Sequence, residues 1–418
     1  MNMKMQSTIA TAGLCAGLLA FSPIHASAGW ALNAGKSQLT NDVWKLNVSV
    51  ADQKITITGY SSGSGDIDFS DGITDAAGDG GYAVTAVNSQ VFNGKQVTAF
   101  LGVPDLERIG SSAFCNNGLL RTFEPSLTKL TELGEQAFNG CTSLVGDFDM
   151  PEVVSLPYLC FKSTRITSVR APKATFVGSY ALQDCKALIS VQFGAPMASI
   201  GTEAFHNASA LQSVSGATNL TSIGWAAFHS CWSLRTFEPS TLPMLTSIAA
   251  QAFRDCSSLA GDFDVPALTT LGSESFYSTQ ITSFSAKKLK TVGANAFERC
   301  GSLANVVLYG GGTLNKMCFC RIASKAVIIF VGPPPAIGEL VFVNDSAYYP
   351  EVRVAHRAEV DNWINLAGSS FKEWNSCTTD EKNKFGGTVN KRLKGLDKRG
   401  SNCWLVDDST EWTIITVQ

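Results

Sequence analysis

A chain of 418 residues with 45% hydrophobic and 16% charged residues can bury a large core. A formal net charge of −3 argues against a nucleic-acid partner, and no overall basic bias points to a membrane surface. The usual length prior of two or three domains fails for a chain that repeats, because stacked units need no second core.

The first 28 residues read as a secretory signal peptide. Lys4 supplies a positive start, Ile9 to Phe21 is apolar apart from Thr11 and small residues, and Ala26-Ser27-Ala28 is an A-x-A cleavage site. The apolar stretch is short for a membrane span, and no later stretch reaches spanning length. Leu14 precedes Cys15 where a lipoprotein signal wants a small residue. An exported chain starting at Gly29 is therefore expected: secreted, periplasmic or at the cell surface.

Residues 29–82 read as a β-hairpin cap and 83–325 as repeats. One phrase returns: apolar, Gly, two variable residues, Ala-Phe, two variable, Cys, two variable, Leu. Ile223 to Leu234 and Val292 to Leu303 are its best copies. The large residue falls at Phe92, Phe114, Phe138, Phe161, Leu182, Phe205, Phe228, Phe253, Phe276, Phe297 and Phe319, in steps of 21 to 25. So steady a period means stacked coils around one continuous core, about eleven of them.

After each Leu comes one apolar residue between polar ones, as in Asp147-Phe148-Asp149 and Ser168-Val169-Arg170. That is a half-buried strand. Stacked at about 4.8 Å per turn, such strands make a parallel ladder on the order of 50 Å long. Gly and β-branched residues interrupt every candidate for a long helix, so the other side of each coil should be irregular or made of short pieces. A second period lies above the first. Arg121 to Ser126 recurs as Arg235 to Ser240, shifted by 114, and Gly146 to Asp149 recurs as Gly261 to Asp264, shifted by 115. A five-repeat block, surface residues included, is duplicated.

Leu-x-x-Ile-Gly-x-x-Ala-Phe-x-x-Cys-x-x-Leu resembles the BspA-like leucine-rich repeats of bacterial surface proteins. Lys54 to Tyr60 and Tyr82 to Val87 resemble the family's opening cap. Gly332-Pro333-Pro334-Pro335, Tyr348 to Val352 and Trp363 resemble its closing cap, here 326–375. The resemblance covers roughly 42 to 365. It implies a leucine-rich-repeat solenoid with β-rich terminal caps, and adhesion or protein binding as a function. The Phe161 and Phe319 repeats depart from the phrase, and nothing from about Asn375 onward matches it.

Of twelve cysteines, eleven follow residue 28. Cys141, Cys185, Cys231, Cys256 and Cys300 each stand three residues after the large residue, where Ala208, Thr164 and Thr279 also occur. A slot that accepts Cys, Ala or Thr is a small buried packing slot, not a disulfide or zinc framework. Cys377 and Cys403 lie in the 376–418 tail and are candidates for a bridge. That tail carries seven Lys/Arg between 381 and 400, and Trp404 to Trp412 reads as a hairpin.

No catalytic pattern holds. Gly59-x-Ser61-x-Gly63 lacks the strand-to-helix elbow. Asp66, Asp68 and Asp71 lack the closing Glu of a calcium loop. His206 and His229 share one slot in adjacent repeats and should stack. That slot also holds Asn93, Asn139, Lys162, Arg254 and Glu298, which reads as a variable exposed position rather than a metal site. No cofactor, metal or enzyme activity is expected.

Binding should use the ladder's outward positions: Glu124, Asp147, Asp149, Arg170 and Gln192 in the first block, and Glu238, Asp262, Asp264, Ser285 and Asn305 in the second. Glu124 should join Asp147 and Asp149, and Glu238 should join Asp262 and Asp264, as two acidic patches for a cationic partner or a divalent ion. Trp225 and Trp232 are further surface candidates, since exposed Trp favours hot spots. The expected function is recognition of a host or microbial protein or glycan by a monomer, the alternative a structural module of the cell envelope anchored by the tail. An enzyme with an unrecognised site ranks behind both.

Overall fold

The structure, a computed structural model, describes residues 29–342 except 239–240, 311, 325, 332–334 and 339. It also describes strands Glu351–Ala355, Trp404–Asp407 and Trp412–Thr416. The stretch read as a signal peptide, Tyr348 to Pro350, Trp363, Cys377, Cys403 and the basic stretch 381–400 lie outside the described residues.

Every regular element among the described residues is a β-strand. The chain opens with antiparallel strands Trp30–Leu32, Gln38–Thr40, Lys45–Ala51 and Lys54–Ser62. The last of these pairs in parallel with Ala83–Val87, which starts the coil. Trp30 and Trp44, both almost fully buried, close this end, and their indole N–H groups donate to the carbonyls of Asp68 and Asp66 at 2.6 and 2.7 Å. Burying so large a side chain is favourable when its one polar atom finds an acceptor.

Each turn then has three sides. The first is the long parallel ladder predicted from the alternating pattern. It comes in three pieces: Gly65–Asp68 to Thr122–Phe123, Val145–Asp149 to Thr236–Phe237, and Ala260–Asp264 to Glu351–Ala355. The hairpin Trp404–Asp407/Trp412–Thr416 adds antiparallel strands to the last piece. The second side is a ladder of two-residue strands, from Phe176–Val177 to Ala336–Ile337. The third is a bend without strand or helix. There alternate N–H groups donate to the next turn: Ala226, Phe228 and Ser230 to Ala250, Ala252 and Arg254, at 2.8 to 3.0 Å. To aim those groups along the solenoid axis, the residues two before and two after the large residue adopt positive φ, here Ala226 at 50° and Ser230 at 61°. Non-glycine residues pay roughly 1 kcal/mol for that conformation, offset by backbone groups that would otherwise be buried without partners.

The core is a column of rings. Phe92, Phe114, Phe138 and Phe161 stack 5.2 to 5.5 Å apart, and Phe205 through Phe319 stack 4.9 to 5.6 Å apart. Leu182 interrupts the column. Phe342 continues it, 6.1 Å beyond Phe319, one turn past the eleven large residues picked out by sequence. Ladder residues such as Phe123, Phe148, Phe237 and Phe263 meet the column edge-on. That geometry is the one aromatic quadrupoles prefer.

The cysteine slot is buried as expected, and it has a further task. Cys141, Cys185, Cys231, Cys256 and Cys300 each donate S–H to the main-chain carbonyl of the large residue one turn back, at 2.9 to 3.1 Å. Asn117 occupies the same slot and donates to Phe92 and Phe114. Burial pushes Cys141 and Cys185 up to about 12 and Cys300 up to about 11.

Candidate binding surface

The two copies of Gly-Asp-Phe-Asp open the second and third pieces of the long ladder. Pairing to the following strand slips between Gly146 and Asp147, and again between Gly261 and Asp262. Both glycines hold φ near +100°, which a bulge of this kind requires. The bulge turns the first Asp outward and over the next turn. Asp147 accepts from Thr167 Oγ1 and Ser168 Oγ at 2.7 and 2.6 Å, and Asp262 accepts from Thr282 and Ser283 at the same distances. In each case the Ser hydroxyl, then the Thr hydroxyl, holds the carboxyl below its usual range.

The second Asp of each copy differs in its neighbour. Asp149 pairs with Arg170 at 2.8 Å, whereas Asp264 accepts from Ser285. The first block therefore neutralises its own outward carboxylate and the second does not use a cation at that position.

Glu124 corrects an expectation. It is buried, and its carboxylate accepts from the backbone N–H groups of Val103 and Ser126 at 2.9 and 3.1 Å. It does not join Asp147 and Asp149 in an outward acidic patch. Glu238, its counterpart, is exposed. An insertion follows this segment: the block shift is 114 through Ser126/Ser240 and 115 from Leu127/Leu242, so Thr241 is extra. The added residue bridges to Asp264.

Ladder pairing lapses between Thr236–Phe237 and Ala260–Asp264. Phe237 and Phe263 stand 6.4 Å apart there, as Phe123 and Phe148 do at 6.3 Å across the ladder's first break, against 5.4 Å for the paired Phe100 and Phe123. A shallow cleft of about 540 Å³ opens at this gap, lined among others by Thr218, Thr236, Glu238 and Asp262. Thr218 and Thr236 carry no signal in the sequence, because the cleft arises from broken pairing and not from a motif.

Trp225 and Trp232 are exposed by 45% and 53%. They do not lie on the ladder. Trp225 belongs to the bend, where its carbonyl accepts from Glu203 N–H at 2.8 Å, and Trp232 follows the bend of the same turn. The candidates thus fall on two surfaces.

The bend also carries His206 and His229. They stack as expected, with ring centroids 5.0 Å apart. Their slot is half-buried rather than exposed, and Glu298 in the same slot is buried. Glu203, Gln183 and Asp255, which sequence reading did not single out, surround the pair. Among the described residues no three His, Cys, Asp or Glu side chains are arranged to hold a metal ion. Of the calcium-like Asp residues, Asp66 accepts from Thr98 and Asp68 from Ser70.

Comparison with known proteins places these features. The profile of the BspA-type leucine-rich-repeat region matches in six copies over 81–189, 147–260, 175–304 and 236–347, together more than half of the chain. No curated protein sequence matches. A leucine-rich repeat protein of Bacteroides ovatus has a similar structure, with a TM-score of 0.53 at 20% identity, over 70% of this chain and 77% of that one. A leucine-rich cell surface protein of Faecalibacterium prausnitzii has a TM-score of 0.40 at 20% identity, over 65% and 88% of the two chains. For the leucine-rich repeat protein of T. pallidum the values are 0.35, 20%, 51% and 87%.

Proposed function

The chain belongs to the BspA-type leucine-rich-repeat family, and from that premise we propose that it is an exported protein that binds a protein or glycan through its repeat surface. Proteins of this type are typically secreted or carried on the cell surface, and no helix among the described residues is long and apolar enough to cross a membrane. The observation that carries the proposal is the cleft at the lapse of ladder pairing. It is a recess at the second of the ladder's two breaks, and Thr218, Thr236, Glu238 and Asp262 are among the residues that line it.

In this reading the second block, with Glu238, Asp262 and Asp264, is the principal contact for a cationic group. Asp147, Asp149 and Arg170 give a weaker, self-neutralised counterpart, and Trp225 and Trp232 offer a separate aromatic contact on the bend. The reading is one of binding and not of catalysis. A repeat scaffold presents surface rather than an enclosed site, and the thiols of the cysteine slot are spent on main-chain carbonyls.

The test is a screen of the full chain against immobilised proteins and glycan arrays, followed by Asp147→Asn, Asp149→Asn, Asp262→Asn and Asp264→Asn combined. Loss of the captured partner supports the ladder face. Undiminished binding refutes it. Deleting 376–418 tests the envelope-module alternative: lost envelope association, with no partner captured by the repeats, would favour that reading.

A further inference from the structure

Where a long strand ends, one backbone N–H falls just beyond the ladder. The last rung is donated by Met150, Ala171 and Val265, two residues past the buried Phe148, Val169 and Phe263. The next residue in each case is a proline, Pro151, Pro172 or Pro266, which has no N–H to satisfy. Val103 and Ser126 stand at that same position after Phe100 and Phe123, and there the carboxylate of Glu124 accepts both N–H groups. In the duplicated block Val103 becomes Ala217 and Glu124 becomes Glu238. Ala217 is buried, Glu238 is exposed, and the Ala217 N–H donates to no group among the described residues. A buried N–H that lacks an acceptor is costly and rare. Pro104, which follows Val103, becomes Thr218, so a hydroxyl is added beside this N–H. Gly216 and Thr218, on either side of Ala217, both line the cleft.

We propose that the cleft seats a ligand carboxylate on the Ala217 N–H and the Thr218 hydroxyl, and that the ligand is a peptide C-terminus ending in Arg or Lys. Backbone N–H groups presented by a turn capture C-terminal carboxylates, and in the first block the coil already holds a carboxylate at this place, that of Glu124. The cation follows from the surroundings. Glu238 and Asp262 line the same cleft, and a ligand carrying a carboxylate alone would be repelled by them. The seat lies within one Glu side chain of residue 238, because Glu124 spans the same separation from the matching position. A basic terminal residue brings its carboxylate to the seat and its side-chain cation to the acidic groups beside it. The proposal rests on the reading of this cleft as a contact for a cationic group, and adds to it the anionic half of the ligand.

The experiment is calorimetric titration of the full chain with the peptide Gly-Gly-Gly-Arg as its free acid, with the same peptide as its C-terminal amide, and with Gly-Gly-Gly-Ala as its free acid. The expected result is binding of the first, with the amide weaker by at least about tenfold, the effect of losing hydrogen bonds to a charged group. The alanine peptide should be weaker still, since it leaves Glu238 and Asp262 unpaired. Thr218→Pro restores the residue that the coil accommodates at Pro104, and should remove most of the difference between acid and amide. Glu238→Gln should weaken both arginine peptides alike. Equal binding of acid and amide overturns the carboxylate seat and leaves the cation contact standing. No binding of any peptide also overturns the seat, while the cation contact still answers to its own partner screen. Hydrogen exchange at the Ala217 amide gives a further check: protection that disappears in Glu238→Ala would overturn the proposal, because Glu238 would then hold the seat itself.

Discussion

Phe228 is the sharpest point at which to test the ring column. It stacks on Phe205 at 4.9 Å and Phe253 at 5.2 Å, and meets the edge of Phe237 at 5.5 Å. Phe228→Ala removes a fully buried ring from between two others. Burial and cavity terms for Phe→Ala come to about 3–5 kcal/mol, and three ring contacts push the expectation to the upper half of that range. Phe228→Leu is the control, because Leu182 fills the same slot at zero exposure. A swap that keeps most of the volume should cost less than about 1.5 kcal/mol. Equilibrium denaturation by urea, read as a change in midpoint at constant slope, measures both. If Phe228→Ala costs under about 1.5 kcal/mol, or Phe228→Leu costs as much as Phe228→Ala, the column does not hold adjacent turns together as argued.

Other expectations follow from single side chains. The hydroxyl of Ser275 is buried without a partner in a slot that is Ala at Ala227, Ala252 and Ala296; Ser275→Ala should stabilise by roughly 1 kcal/mol in the same denaturation assay. Glu124→Ala should cost about 1–3 kcal/mol by stranding the Val103 and Ser126 N–H groups, while Glu238→Ala should stay within about 0.5 kcal/mol. The nine described thiols are buried, and Cys141, Cys185, Cys256 and Cys300 titrate high, so a thiol-disulfide exchange reagent at pH 8 should label them only after denaturant is added. His229 titrates below its ordinary 6.5 because burial disfavours its charge. The unfolded chain then takes up the proton first, so its contribution to stability is complete above that value and is lost as pH falls through the folded pKa. His229→Asn should flatten that part of a stability–pH curve, and the fall caused by Asp147 and Asp262 should remain, at pH below about 3.8.

Much of this fold is legible because each coil needs one large ring at one place. A ring every 21 to 25 residues leaves little choice but a stacked core. The alternation at Asp147-Phe148-Asp149 likewise fixes which side of the long ladder faces out. The second ladder is harder to read: a strand of two residues, such as Ser222–Ile223, is too short to show alternation. The positive φ of Ala226 or Met317 leaves no trace either, since neither residue type favours it and the requirement comes from bonds to the next turn. The His slot misled for a related reason. Its polar and charged occupants suggest exposure, but their heads bond to one another along the bend, which leaves the column half-buried.

The two blocks show how a copied surface can diverge without a change in fold. Arg121 to Ser126 and Arg235 to Ser240 are identical over six residues, yet Glu124 is a backbone ligand and Glu238 is an exposed carboxylate. The copied words are the same, and the inserted Thr241 follows directly after them in the second block. A second change, Ser285 in the position of Arg170, keeps a hydrogen bond to the neighbouring Asp but removes a positive charge. Both changes act in one direction, making the outward face of the second block more negative than that of the first. Neither touches the ring column, because Phe123 and Phe237, like Phe148 and Phe263, remain buried. Core residues are constrained by their stacked neighbours on both sides, whereas an outward side chain answers only to its own turn and the next. Charge can therefore be redistributed along the ladder while the coil geometry stays fixed, and the outward face of the ladder is where such a solenoid can change its charge at little cost to its stability.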